Sequence, residues 1–103
     1  MTSSFLVRVE LYGSPSEAHY QRLHSLMSKL GFSRTIRGDD GRVYDLPSAT
    51  YYLESSYDAT QVRTSVRLPV ASVWRNSAVL VSRTTTNCWS GLREHHSRIG
   101  MFG

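Results

Sequence analysis

Tyr20 and His24 stand four residues apart on one predicted helix, so they share a flank and their side chains can touch. A histidine beside a tyrosine can take or give a proton near neutral pH and can lie against an unpaired base. Arg22 falls on the opposite flank of the same helix's apolar stripe, so it and His24 are not one pair. Glu10, near the end of the first predicted strand, is the carboxylate best placed for a base or divalent-metal role, although one carboxylate makes a poor magnesium site. Arg63 and Arg67, four apart on a second helix, join Arg8 and Arg75 as candidate phosphate-binding positions. Tyr12, Tyr44, Tyr51, Tyr52 and Tyr57 offer rings on which unpaired bases stack.

Each of these has a plainer reading. His24 would be a boundary histidine bonded to backbone or solvent, the arginines a solvated helix face, and the strand tyrosines ordinary packing residues. Asp39 and Asp40 are explained by a turn. His95 and His96 with Cys88 do not match structural zinc spacing, so neither a metal nor any other cofactor is expected. Walker loop, dinucleotide fingerprint and serine-nucleophile elbow are all missing, which removes the commonest nucleotide-dependent and acyl-transfer classes.

The 103 residues suffice for one core and not two. The N-terminus lacks a basic segment followed by an apolar run, and no stretch approaches the roughly 18 to 20 apolar residues of a membrane span, so a cytoplasmic protein with no membrane partner is expected. A single cysteine fits a reducing compartment. The net charge is +4, and Lys29 is the only lysine among the 12 basic residues. Arginine's planar fork suits phosphates and base stacking, which favours nucleic acid; a GC-rich coding bias produces the same preference.

The elements that must position these residues follow from periodicity. Phe5, Val7, Val9 and Leu11 alternate with Leu6, Arg8, Glu10 and Tyr12, the pattern of a strand with one buried face. Ser14 as N-cap, Pro15 at the first helical position and Glu17 three residues after Ser14 predict a helix start, with Leu23, Leu26, Met27 and Leu30 as its apolar stripe and Gly31 as its end. A second strand is predicted over 32–37, a turn at Gly38-Asp39-Asp40-Gly41, and then a hairpin arm or extended connector to Pro47. A third strand covers 49–55. Asp58 caps a second helix that is expected to stop before Pro69, with Val70 to Trp74 a last helical turn or a loop, and Ser77 to Ser82 form the fourth strand.

The order β-α-β-β-α-β is the ferredoxin-like split βαβ, an α+β fold with one four-stranded antiparallel sheet carrying two helices on one face. Residues 1–83 form this domain and 84–103 a C-terminal extension. It has no clear period and at most a short helix at Leu92 to Ile99, and it is expected to pack on the domain or on a second subunit through Trp89, Ile99, Met101 and Phe102.

The strand end Glu10-Leu11-Tyr12, the turn Ser14-Pro15-Ser16, the string Arg22-Leu23-His24-Ser25-Leu26-Met27, then Leu30-Gly31-Phe32-Ser33 and Asp40-Gly41 with Leu46, resemble the GhoS family over roughly the first 65 residues. These are small ferredoxin-like antitoxins of type V toxin–antitoxin systems that act as endoribonucleases. The resemblance implies a bacterial RNA-cleaving antitoxin that destroys the message of a small membrane-acting toxin. In the family string a second arginine, linked to cleavage, stands at the position of His24, so this chain departs there. Histidine can preserve cleavage by acid–base chemistry or abolish an arginine contact.

The expectation is a metal-independent endoribonuclease or RNA-binding antitoxin, a homodimer through sheet edges or the C-terminal extension, acting on single-stranded toxin mRNA. His24, Arg22 and Glu10 are its candidate catalytic residues, and Arg8, Tyr12, Tyr20, Arg63 and Arg67 its RNA contacts. The alternative is a non-enzymatic protein-interaction module, distinguished by binding that changes little with salt.

Overall fold

The computed structural model describes residues 1–96. The chain forms β1 (Ser3–Leu11), α1 (Glu17–Lys29), β2 (Thr35–Arg37), β3 (Val43–Asp45), β4 (Thr50–Ser55), α2 (Ala59–Val73) and β5 (Ser77–Thr84), an α+β arrangement. Alternation in β1 decides the layering. Phe5, Val7, Val9 and Leu11 are buried, whereas Arg8 and Glu10 on the opposite face are exposed. The buried face meets Leu23 and Met27 of α1, and Val62, Val66, Val70 and Val73 of α2, in one core with Phe32, Ala49 and Tyr51. Among the described residues no helix is long and apolar enough to cross a membrane.

β1 is the central strand, antiparallel to β4 from Ser3↔Ser55 to Arg8↔Thr50 and to β5 from Ser4↔Thr84 to Leu11↔Ser77. β2 and β3 form a separate two-stranded ribbon, from Thr35↔Asp45 to Arg37↔Val43. The expected four-stranded sheet is therefore divided into three strands plus a ribbon, joined at the single bridge Ser33↔Tyr52. Local hydrogen bonding accounts for the break. Ser33 Oγ accepts from the Thr35 amide at 3.1 Å, and the Arg34 carbonyl accepts from the Leu46 amide at 2.9 Å, so the chain after Ser33 is committed to its own turn and to the segment after β3 rather than to β4. The second strand, expected from Phe32, is accordingly confined to Thr35–Arg37. The predicted turn is present: the Gly38 amide donates to the Arg42 carbonyl at 2.8 Å, and Gly41 takes φ +80°, the left-handed region that glycine reaches without strain.

Both helices differ from expectation at one end. α1 is capped by Ser16 and not Ser14: Ser16 Oγ accepts from the His19 amide, and His19 Nδ1 accepts from the Ser16 amide at 3.0 Å. Tertiary packing favours this register. The His19 ring lies edge-on to Trp74 with centroids 4.6 Å apart, and Trp74 Nε1 donates to the Tyr12 carbonyl at 2.7 Å, tying the start of α1 to the end of α2. Gly31 ends α1 region as expected, at φ +94°.

α2 begins at its predicted cap, Asp58, but continues through Pro69 to Val73. A proline inside a helix costs about 3 kcal/mol. Carrying the helix one turn further keeps Val70 and Val73 in the core, and burying each valine returns about 1.5–3 kcal/mol. Pro69→Ala is expected to raise stability by about 1–3 kcal/mol, the restored helical hydrogen bond exceeding the extra freedom gained by the unfolded chain. Urea unfolding checks this, and an unchanged midpoint would show that α2 is already relaxed around the proline.

After β5 the chain returns to the ribbon. Trp89 packs on Tyr44 with ring centroids 5.5 Å apart, Glu94 bridges to Tyr44, the Asp45 amide donates to the Arg93 carbonyl, and the His95 amide donates to the Val43 carbonyl. Residues 92–96 form this extended contact and no helix. Ile99, Met101 and Phe102, also expected to pack, lie outside the described residues.

Candidate active site

His24 emerges from α1 half-buried, with Nδ1 2.7 Å from the Tyr51 hydroxyl. Tyr51 is on the inner face of β4, wholly buried beneath the helices, so its hydroxyl holds the imidazole from below. Burial pushes the Tyr51 hydroxyl up to about 12, against the pull of the Arg34 guanidinium. Burial also lowers His24 from its ordinary 6.5, the positive charge of Arg34 lowers it further, and Glu17 acts in the opposite sense. At pH 7 the group is thus a neutral imidazole, a protonated phenol and a guanidinium close enough to bias both.

Nδ1 is engaged, and among the described residues no buried side-chain nitrogen or oxygen lacks a partner, so Nε2, which has none, is the imidazole nitrogen open to solvent. Its role is complementary to the tyrosine bond. If Nδ1–H donates to Tyr51, Nε2 is a base; if Tyr51 donates, Nε2–H is a donor. This is the arrangement that general acid–base catalysis needs: a positioned imidazole with one nitrogen fixed and the other free.

The partner of His24 is therefore Tyr51. Tyr20 packs, partly buried, against the core. Tyr51 alternates with Tyr52 along β4, and that period was the available signal that Tyr51 faces the helices. Arg34 carried no such signal, because its approach depends on the turn at Ser33 that ends the sheet.

The other candidates occupy three separate surfaces. Glu10 lies on the face of β1 away from the helices, exposed, in a shallow hollow shared with Arg8, Tyr12 and Leu80. It and His24 are on opposite sides of the sheet and form no common centre. Arg22 is exposed in a groove between the helices with Lys29, Gln21 and Ser72. Arg63 and Arg67 line a groove with Arg75, Leu68 and Ser77 where α2 meets β5.

None of Arg8, Arg22, Lys29, Arg63, Arg67 and Arg75 makes an ion pair among the described residues, where the Arg42 guanidinium lies 3.8 Å from the Glu94 carboxylate and His95 Nδ1 shares a 2.8 Å hydrogen bond with Asp45 Oδ1. The helical side thus presents arginines without carboxylate partners, an electrostatic footprint suited to a polyanion. No cluster of three or more metal-ligating side chains occurs among the described residues.

No curated protein and no solved structure gives a significant match to the chain. A family model described as Endoribonuclease GhoS does match, over residues 2–90. That span contains every strand and helix described above together with His24, Tyr51, Arg34 and all the candidate arginines, and the chain belongs to the GhoS endoribonuclease family.

Proposed function

We propose that this chain is an antitoxin of the GhoS type that binds single-stranded RNA, the message of its toxin, and cleaves it at His24. The observation that carries the reading is the neutral His24 imidazole, fixed at Nδ1 by Tyr51 and open at Nε2, with Arg34 beside it. Nε2 takes the proton from a ribose 2′-hydroxyl. The 2′-oxygen then bonds to the adjacent phosphorus as the bond to the 5′-oxygen breaks, and water protonates the departing 5′-oxygen. The products are a 2′,3′-cyclic phosphate and a 5′-hydroxyl. A guanidinium stabilises the extra negative charge that develops on the phosphate oxygens, and Arg34 is the one already within electrostatic reach.

This arrangement also accounts for the departure from the family string. Where relatives that resemble it carry an arginine, this chain has a proton-transfer group, and Arg34 supplies the guanidinium from the turn after α1. Arg22 and the arginines of α2 hold the strand through its phosphates.

The deciding experiment incubates the purified protein with end-labelled single-stranded RNA in the presence of a metal chelator. Fragments ending in a cyclic phosphate are expected, with binding that weakens steeply between low and moderate salt. Absence of both binding and cleavage at low salt would remove the nucleic-acid reading in favour of a protein-interaction module.

A further inference from the structure

The break between the three-stranded sheet and the ribbon leaves a cleft of about 550 Å³ on the side of β4 that carries Tyr52, closed by the segment that follows β5. Its size lies within the roughly 300–1,000 Å³ usual for small-ligand sites. Two aromatic rings, Tyr52 and Trp89, line it together with Arg37, Asp39 and Asn87. Both rings are held before any ligand arrives. The Tyr52 hydroxyl donates to Ser4 Oγ at 2.9 Å, and Trp89 rests against Tyr44 and against the backbone at Gly38, where a Cβ would stand 3.2 Å from the indole Cζ2. Arg37 is held as well, donating from Nη1 to the Gly41 carbonyl at 2.8 Å.

We propose that this cleft is a subsite for one unpaired nucleobase of the bound RNA, a proposal that rests on the RNA reading above. Stacking on a tryptophan or tyrosine face suits any base, since every base has a π-face. The charged lining opposes Asp39 to Arg37, which disfavours a phosphate and favours a neutral heterocycle whose edge offers both donors and acceptors. Asp39 accepts from ring or exocyclic N–H groups, Arg37 donates to ring nitrogens or carbonyl oxygens, and the Asn87 amide serves either. Tyr51 and Tyr52 are consecutive on β4, so the base subsite and His24 approach the same strand from opposite faces. A strand of RNA passing around the β4 edge beside the ribbon would meet both.

The test is binding of a fluorescein-labelled, mixed-sequence single-stranded RNA of about 12 nucleotides, followed by anisotropy at several salt concentrations. Trp89→Ala is expected to weaken binding by roughly ten-fold or more with an unchanged salt slope, because stacking releases no counterions, whereas Trp89→Phe keeps most of the affinity. In a parallel measurement on the unaltered chain, RNA should quench the Trp89 emission, read as the difference from Trp89→Phe, whose remaining tryptophan is Trp74. Unchanged affinity in Trp89→Ala overturns the subsite, and so does RNA binding without quenching of Trp89; the quenching result decides even where the alanine variant fails to fold. Failure of the unaltered chain to bind RNA at low salt overturns the RNA reading itself, so the two failures are distinguishable.

Discussion

Replacing His24 with alanine is expected to lower RNA cleavage at pH 7 by on the order of 10² or more while changing RNA affinity little, the scale of a lost acid–base group. The substitution also removes the partner of the buried Tyr51 hydroxyl. An orphaned buried hydroxyl costs roughly 1–3 kcal/mol, a noticeable part of the roughly 5–15 kcal/mol that stabilises a domain. The double variant His24→Ala with Tyr51→Phe removes both partners and separates this structural cost from the chemical one: it should regain stability and remain inactive. The pH profile carries a second signature. Because the His24 pKa lies below 6.5, its base form predominates at pH 7, and cleavage should stay level above the ordinary histidine range and fall as pH drops below 6.5 through the folded-state value. Stability moves in the same direction. The unfolded chain, with its histidine at the ordinary value, takes up the proton first, so the contribution present above 6.5 is lost as acid approaches the folded value. His24→Arg should lose the acidic limb whatever rate it retains. Full activity in His24→Ala would take the reacting proton away from this imidazole.

How much of this was legible in the sequence varies with the range of the interactions involved. β1, β4 and β5, the turn at Gly38 to Gly41, and the Asp58 cap are set by local alternation and by single residues with strong conformational preferences, and they appear where the pattern put them. The ribbon does not follow from a pattern. It depends on whether Ser33 bonds to its own chain or leaves Thr35 free for β4, a competition between a local side-chain bond and a sheet ladder. The shift of the first cap from Ser14 to Ser16 depends on Trp74, a residue of the far helix end, through its contact with His19. Pro69 signals a stop through a local preference, that of the residue preceding it, whereas α2 continues because Val70 and Val73 are buried in a core assembled from the whole chain. The candidate site divides the same way. His24 and the arginines stand out by residue type, but the grouping of His24 with Tyr51 and Arg34, and the separation of Glu10 from them, come from the layering of sheet and helices.

Changing Arg63, Arg67 and Arg75 together to glutamine is expected to weaken binding of single-stranded RNA by roughly 10- to 100-fold at low salt and to flatten the salt dependence. Each phosphate contact to a single strand contributes about 0.7 to the slope of log affinity against log salt, so three contacts lower it by about 2. The turnover rate at saturating RNA should stay within a few-fold, since these residues line the seam of α2 with β5 and not the His24 group, and the loss should therefore fall on KM. A folding defect would not mimic this result. Arg63 and Arg67 are exposed like charges four apart on a helix whose first turn holds no acidic residue, an arrangement that is mildly repulsive, by about 0.2–0.5 kcal/mol. Neutralising them should leave the unfolding midpoint unchanged or slightly raised while RNA affinity falls, opposite signs that a merely structural role cannot produce. The unneutralised triad has a further consequence for assembly. β5 is an edge of the three-stranded sheet, and pairing it with the β5 of a second copy would bring two sets of arginines together along the seam. That repulsion favours a polyanion over a like-charged neighbour at this edge, and an unaltered salt slope in the triple variant would instead assign the phosphate contacts to Arg22 and Lys29 in the groove between the helices.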